Sequence, residues 1–233
     1  MPTPAHPPVA LLQAQLQEFN LLPSRSLHAG RAGALALGGT PPGDLGALAA
    51  QPAVQRALHK RWSAQLLAQL GDHAQPVLDL SHAALPAALA TPALLGRVAR
   101  DAGVALLGTY LRRTIARDAV MSARESLGAP ALDWARQGAA DVHPGLADPG
   151  RWTQSDDLGH AADLLGAGVI AQSWHDAPAP IKLRADWKLP STAVEDTAVR
   201  TASALDPQGA RQLCLQLLAR LDPAWLSNFP ATR

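Results

Sequence analysis

The feature that most constrains this chain is a run of helical periodicity between residues 92 and 137. Pro92 suits the first turn of a helix, because the amide hydrogen that proline lacks would have no partner there. The apolar residues that follow recur at steps of three and four positions, at Leu95, Val98, Ala102 and Leu106. This spacing predicts an amphipathic helix with a buried apolar face.

The stretch is expected to contain three helices. The apolar row of the first helix continues at Leu107, Leu111 and Ile115. Asp118 is a candidate N-cap of the second helix, and Gly128 is a candidate for the residue after its end. Pro130 then opens a third, short helix that Gly138 closes.

Similar periodicity recurs in four other stretches, which begin after Pro8, at Pro52, at Ser155 or Asp156, and at Asp206. In the last of them, Leu213 and Leu217 are predicted core residues. In the third, Gly166 and Gly168 are costly within a helix, so we expect them to allow a neighbouring element to approach closely.

One segment has the periodicity of a strand. Its apolar residues alternate with polar ones, namely Ile181, Leu183, Ala185, Trp187 and Leu189 with Lys182, Arg184, Asp186 and Lys188. The alternation predicts a strand over 181–189, paired with 77–80 or lying extended against helices. The predicted fold class is therefore mainly α: an irregular bundle of short-to-medium helices with at most a minor β contribution near 181–189.

Composition supports a helical fold. Hydrophobic residues make up 48% of the 233 residues but aromatic residues only 4%, so alanine and leucine supply the apolar content, which favours helices over sheets. The 20 prolines and 18 glycines lie mostly between the periodic stretches. We predict two parts: an N-terminal helix with a flexible Gly/Ala/Pro-rich segment at 1–50, flexible from residue 29, and a helical domain at 52–233.

Charge is balanced over the whole chain but not along it. The 20 basic and 19 acidic side chains give a net charge of +1, which argues against nucleic-acid binding. Residues 91–136 hold seven arginines against four acids, whereas residues 137–176 hold one arginine against six aspartates. These regions either complement each other within the molecule or are solvated, or they form two patches that orient partners.

The sequence offers no recognisable active site, cofactor site or small-molecule site. Phosphate-binding loops, dinucleotide-binding fingerprints and nucleophile elbows are all missing from it. No two of the eight histidines have the spacing that places them on one helical face for zinc, and the single Cys214 excludes an internal disulfide. We expect His160 and Asp163 to be a surface pair.

Neither a signal peptide nor a membrane-spanning segment is predicted. The N-terminus lacks a basic region followed by an apolar core, and no run approaches the roughly 18 apolar residues that span a bilayer. We therefore predict a cytoplasmic protein without direct membrane insertion.

Four residues are candidates for binding a partner protein. Arg113 and Arg117 are four positions apart, and Arg124 joins them if the helices are continuous, which would form a basic ridge for an acidic partner. The alternative is a solvated face, or pairing with acids such as Asp118. Trp225 follows the last helix, where it either docks or forms part of an interface.

The central stretch also resembles a known family. Gly-Val-Ala-Leu-Leu-Gly-x-x-Leu-Arg-Arg-x-Ile at 103–115 and Ser-Leu-Gly at 126–128 are similar to motifs of the YscK/SctK proteins of bacterial type III secretion systems. Further similar motifs follow in the same order: Gly-x-Gly at 166–168, Lys-Leu-Arg-Ala-Asp-Trp-Lys-Leu-Pro at 182–190, and Leu-Cys-Leu-Gln-Leu-Leu at 213–218. The similarity covers roughly residues 92–229, and the Ala/Gly/Pro-rich first 90 residues depart from the family pattern.

The resemblance implies an SctK-like domain at 52–233 and a function that the residues alone do not indicate. SctK-type proteins are non-enzymatic, cytoplasmic components of the injectisome sorting platform. They link the inner-membrane ring protein of the SctD type to pod proteins of the SctQ and SctL types. The alternatives are an export chaperone or another helical binding module and, third, an enzyme whose site contains no known motif.

Overall fold

The structure is a computed structural model that describes residues 8–35, 51–154 and 157–229. Within those ranges the chain forms fifteen α-helices and no strand, which confirms the predicted mainly α fold class. The predicted cap at Ser155 or Asp156 and residues 36–50 of the predicted flexible segment lie outside the described residues. Asp157, which is described, is the N-cap of the helix that follows, because its side chain accepts a hydrogen bond from the His160 amide.

The helices are mostly short because proline or glycine occupies many of their ends. Three 3₁₀ helices span Pro23–Arg25, Ala29–Leu35 and Gly71–His73. The α-helices are α1 (Pro8–Leu21), α2 (Pro52–Gln69), α3 (Leu85–Ala88), α4 (Pro92–Leu106), α5 (Gly108–Arg113), α6 (Arg117–Leu127), α7 (Ala129–Gln137), α8 (Ala139–Val142), α9 (Gly150–Thr153), α10 (Leu158–Ser173), α11 (Ala179–Asp186), α12 (Ser191–Glu195), α13 (Thr197–Arg200), α14 (Pro207–Leu221) and α15 (Pro223–Leu226).

The centre of the fold is the contact between α4 and α10. A Cβ atom added to Gly103 would lie 1.8 Å from the carbonyl oxygen of Ala162, and one added to Gly166 would lie 1.7 Å from the carbonyl oxygen of Ala99. Each glycine therefore lets the backbone of one helix touch the other. The prediction that Gly166 allows close approach is confirmed, and a Cβ on Gly168 would likewise lie 2.7 Å from the Val199 carbonyl oxygen.

Helix α14 packs on both central helices and completes the core. Leu213 and Leu217 are buried, as predicted, with Leu217 fully removed from solvent. Cys214 lies beside them, and burial raises the pKa of its thiol to about 12. The residues that the periodicity assigned to this helix therefore form its inner face.

The N-terminal helix belongs to the same core. Phe19 of α1 is buried in the main hydrophobic cluster, and the Asn20 side chain both donates to and accepts from the backbone of Val77, each at 2.8 Å. The predicted flexible segment begins with an ordered 3₁₀ helix, Ala29–Leu35, rather than a coil. Arg31 holds this helix in place by donating from Nε to the Leu189 carbonyl at 2.8 Å.

Helix α2 is more peripheral. It has the predicted start at Pro52 and ends just before Gly71, whose φ of +53° suits glycine. Its buried face consists of Trp62 and Leu66, which form a small cluster separate from the main core. The hydroxyl of Ser24 bonds to Ser63 at 2.8 Å, which ties the helix to the first 3₁₀ turn.

The predicted strand at 181–189 is wrong, because the segment forms α11 and a following turn. Pro178 and Pro180 flank the first helical position, where they favour helix initiation. The alternating polar residues do not face solvent: Arg184, Asp186 and Lys188 are all buried. Each finds hydrogen-bond partners inside the protein, so the polar positions do not mark an exposed face.

Arg184 shows how this segment is held. Its Nη2 donates to the Ala74 carbonyl at 2.6 Å and its Nη1 to the His73 carbonyl at 3.2 Å. Burial lowers the pKa of its guanidinium. The Asp186 carboxylate accepts from Trp174 Nε1 at 2.8 Å and from Lys182 at 2.6 Å. Buried polar groups thus join α11 to α10 and to the turn after α2.

Candidate functional site

The three predicted partner-binding arginines are all exposed, but they do not lie on a single helix. Arg113 is the last residue of α5, whereas Arg117 and Arg124 belong to α6. Between the helices Thr114 has an extended ψ of 107°, and its hydroxyl donates to the Tyr110 carbonyl at 2.9 Å. The predicted continuous ridge is therefore interrupted, since side-chain bonding of this kind competes with helix continuation.

The interruption exposes an apolar side chain that the sequence pattern placed in the core. Ile115, predicted to continue the apolar row of α4, is 90% exposed. Met121 on α6 is 55% exposed and lies four positions after Arg117 and three before Arg124, on the same helical face. We call Arg113, Ile115, Arg117, Met121 and Arg124 the arginine surface.

The arginines of this surface do not pair with other residues in the described part of the chain. Arg113, Arg117 and Arg124 are exposed and make no hydrogen bond or ion pair with any described residue, including Asp118. Asp118 is not the N-cap of α6 either, because Ala116 occupies that position without a side-chain bond. Cations that are exposed and unpaired are available to an external acidic group.

Helix α6 presents this face because it is anchored from the opposite side. Ala123 and Leu127 are its buried residues. Ser126 donates to Asp157 at 3.1 Å and accepts from the Gly159 amide at 2.6 Å, which ties the end of α6 to the start of α10. The His160 amide and the Ser126 hydroxyl keep the pKa of Asp157 below its ordinary value. One side of α6 is thus fixed, and the side with the arginines faces outward.

Several aspartates of the second predicted surface, the acidic segment from Asp141 to Asp176, bind groups within the protein. Asp163 accepts from Arg100 at 2.5 and 2.6 Å, and Asp176 pairs with Arg211. Asp148 accepts from the Gly150 amide at 2.9 Å. The acids therefore serve largely to hold helices and turns, so this segment is not a continuous acidic patch.

Trp225 does not lie on the surface. Its Nε1 donates to the Pro86 carbonyl at 2.8 Å, and its ring meets Phe229 edge-on at 5.1 Å between centroids. Asp222 starts the short helix α15 by accepting from the Trp225 amide, and this turn directs the ring inward. Trp225 therefore docks the C-terminal segment on the core, and it cannot contact a partner in this conformation.

Lys188, like Arg184, is a buried cation that the sequence pattern does not reveal. Its Nζ donates to the carbonyls of Ala88 at 2.7 Å and Ala90 at 2.8 Å, and it lies 5.5 Å from the centre of the Phe19 ring. Burial lowers its pKa to about 7. An amine of this kind resembles a catalytic base, but both bonds go to the C-terminal end of α3, where cations commonly bind free carbonyls. Its position is that of a structural cap.

Among the described residues, neither a metal site nor the predicted pair of a histidine and an aspartate is formed. Within this part of the chain, no group of three or more His, Cys, Asp or Glu side chains is placed to hold a metal ion. The predicted pair of His160 and Asp163 does not form, because Asp163 binds Arg100 instead. Among the described helices, none combines the length and the apolar character needed to cross a bilayer.

A scan against protein-family models finds no match, and searches of the curated proteins and of the solved structures find no significant match. The resemblance to SctK-type proteins therefore stays a prediction from the motifs in the sequence.

Proposed function

We propose that this protein is a non-enzymatic adaptor of a bacterial type III secretion injectisome. In this role it works in the cytoplasm, at the inner-membrane secretion apparatus, and links an SctD-type ring protein to SctQ- and SctL-type pod proteins. The proposal requires no cofactor or small-molecule substrate. Its motive is the ordered set of SctK-like motifs between residues 92 and 229.

The observation that carries the proposal is the arginine surface. Three exposed arginines that make no hydrogen bond or ion pair with any described residue alternate along residues 113–124 with two exposed apolar side chains, Ile115 and Met121. Apolar contact area flanked by arginine is typical of protein interfaces, where the charges steer the encounter and the apolar residues supply affinity. The surface therefore suits an acidic partner with an apolar contact of its own.

The test is charge reversal with a matched control. Arg113→Glu combined with Arg117→Glu should slow association with the partner about 10- to 100-fold at low salt, because electrostatic steering is lost. Arg56→Glu combined with Lys60→Glu makes the same charge change on the exposed face of α2, and it should leave binding unaltered. Association rates with purified SctD-, SctQ- and SctL-type proteins give the answer, after circular dichroism has confirmed that both variants fold.

The apolar half of the surface needs a separate variant. Ile115→Ser combined with Met121→Ser should speed dissociation while leaving the salt dependence of association intact, since these side chains carry no charge. If all variants bind like the wild type and support secretion, the arginine surface is only a solvated face. If the wild type binds none of the three apparatus proteins, the adaptor function itself is refuted.

A further inference from the structure

A groove with a cavity volume of about 720 Å³ lies away from the arginine surface. It runs along the first half of α4 and one side of α10, and it is closed by residues 26–29 and 188–192. Its apolar lining includes Leu27, Leu95, Ala99, Leu164, Ala167 and Leu189. Volumes of this order hold a bound ligand or a short segment of a partner.

Gly96 makes the groove accessible along α4. The residue is exposed, and a Cβ added there would meet no atom of another described element within 4 Å. This contrasts with Gly103 on the same helix, where an added Cβ would overlap α10. The space beside Gly96 is therefore open, and a partner can approach the helix backbone there.

The charges that line the groove are mostly positive. Arg100 and Asp163 form a bidentate pair at 2.5 and 2.6 Å, so they largely neutralise each other. Lys188 also lines the groove but is buried. Arg97, one turn before Arg100 on α4, is exposed; its hydrogen bond goes to the Leu221 carbonyl at 3.4 Å, and it interacts electrostatically with Asp101, whose carboxylate pairs with Arg220. Among the described lining residues Asp163 is the only carboxylate. The groove thus combines an apolar floor with a cation at its edge.

We propose that this groove binds an acidic amphipathic segment of a partner protein. The apolar side chains of that segment lie on the floor beside Gly96, and a carboxylate binds Arg97. Binding of an amphipathic helix in an apolar groove is a common recognition mode, and the exposed guanidinium of Arg97 favours an acidic sequence. The proposal rests on the adaptor function, because an adaptor needs a second surface apart from the arginine surface.

The first test fills the groove without disturbing the fold. Gly96→Leu places a branched side chain in the open space and should weaken binding of one apparatus protein by at least about tenfold. Gly96→Ala adds only a methyl group and should bind within about twofold of the wild type. Binding of the SctD-, SctQ- and SctL-type proteins is measured by calorimetry, with circular dichroism as the check on folding. If Gly96→Leu binds all three normally, the groove proposal is overturned while the adaptor function stands.

The second test identifies the bound segment. A photo-crosslinking amino acid at position 96, exposed to the same three purified proteins, should form a covalent adduct whose peptide, identified by mass spectrometry, is acidic and amphipathic. Arg97→Glu should abolish that adduct. A crosslink to a basic segment, a crosslink within this chain, or no crosslink despite binding would each overturn the proposal.

A third arm separates this inference from the adaptor function. If the wild type binds no apparatus protein, two synthetic amphipathic helical peptides are compared that share the same leucines and carry either glutamate or lysine on the polar face. Selective binding of the glutamate peptide that Gly96→Leu removes supports the groove as an acidic-segment site. Equal binding, or no binding, of the two peptides rejects it.

Discussion

The contact between α4 and α10 and the segment from 179 to 189 both contain buried residues, but they are held by different interactions. At the helix contact, Gly103 and Gly166 remove side chains so that two backbones touch. In the other segment, Arg184 and Lys188 are taken out of water and bound to backbone carbonyls. The first region depends on shape, and the second depends on hydrogen bonds from buried cations to backbone carbonyls.

The two regions are therefore destabilised by substitution in different ways. A larger side chain at the helix contact destabilises the protein by steric overlap, because neither backbone can move without moving a whole helix. Replacing a buried cation in the segment from 179 to 189 leaves carbonyl groups without hydrogen-bond donors. Each such group lowers the free energy of unfolding. The substitutions below separate these two mechanisms, beginning with the largest expected effect.

Gly166→Val should abolish folding or cost at least about 5 kcal/mol of unfolding free energy, since large losses of this kind follow from forced overlap in a core. The added Cβ would lie 1.7 Å from the Ala99 carbonyl oxygen. Thermal unfolding followed by circular dichroism measures the effect. The control is Gly96→Val, the same change on α4 in open space, which should fold. A Gly166→Val protein as stable as the wild type would show that the two helices are not in contact.

Arg184→Leu should cost about 3 kcal/mol, because it leaves the carbonyls of His73 and Ala74 without their charged donor. The loss should be local as well as global: amide hydrogens in residues 71–76 should exchange faster. Urea denaturation and hydrogen exchange provide the two measurements. Arg61→Leu, at an exposed position of α2, should change stability by less than about 0.5 kcal/mol. Equal effects of the two changes would contradict the assigned role of Arg184.

The sequence predicts the close contact of α10 with a neighbour but not the buried polar groups of the segment from 179 to 189, and the reason is physical. Apolar spacing determines which face of α4, α10 and α14 is buried, and glycine within a helix indicates close approach, so Gly166 could be interpreted correctly. The partners of Lys188 are backbone carbonyls, one of them 98 residues away in the chain. A backbone carbonyl has no signature in the sequence, so the alternation that includes Arg184 and Lys188 indicates a strand instead of buried cations.

The candidate site could likewise be predicted from the sequence only in part. Arg113, Arg117 and Arg124 are exposed, as is usual for arginine, although the buried Arg184 shows that charge alone does not decide this. The exposure of Ile115 could not be predicted, because it depends on the helix break at Thr114, whereas the apolar row assumed one continuous helix. The position of Trp225 depends on a hydrogen bond to Pro86, 139 residues away, which local pattern cannot reveal.

Lys188→Met should remove a pH dependence that the wild type shows above neutrality. Burial lowers the folded-state pKa of Lys188 from 10.5 to about 7. Between these values the unfolded chain holds a proton that the folded chain has released, so wild-type stability should rise with pH, by at most about 1.4 kcal/mol per pH unit. Below pH 7 this contribution is constant. Urea denaturation at about pH 6 and about pH 9 measures the slope for both proteins.

The comparison with Lys188→Met isolates one group. Burial also lowers the pKa of His28, His59, His82 and His143, but these groups act at lower pH and are present in both proteins. If the two proteins show the same rise between neutral and alkaline pH, Lys188 is charged in the folded state throughout, and its burial costs less than its pKa implies.

The smallest expected effect is a gain in stability. Gly96→Ala should stabilise the protein by about 0.5–1 kcal/mol, because alanine restricts the unfolded chain and glycine is costly inside a helix. Among the described elements, no atom lies within 4 Å of the new methyl group, so no steric overlap with them opposes the gain. Gly103→Ala, seven residues further along α4, places its methyl group 1.8 Å from the Ala162 carbonyl oxygen and should be destabilising. The same change on one helix then gives opposite signs, and the denaturant midpoints of the two variants measure this. A loss of stability in Gly96→Ala would mean that the space beside α4 is filled, and both the groove and the contrast between these glycines would have to be abandoned.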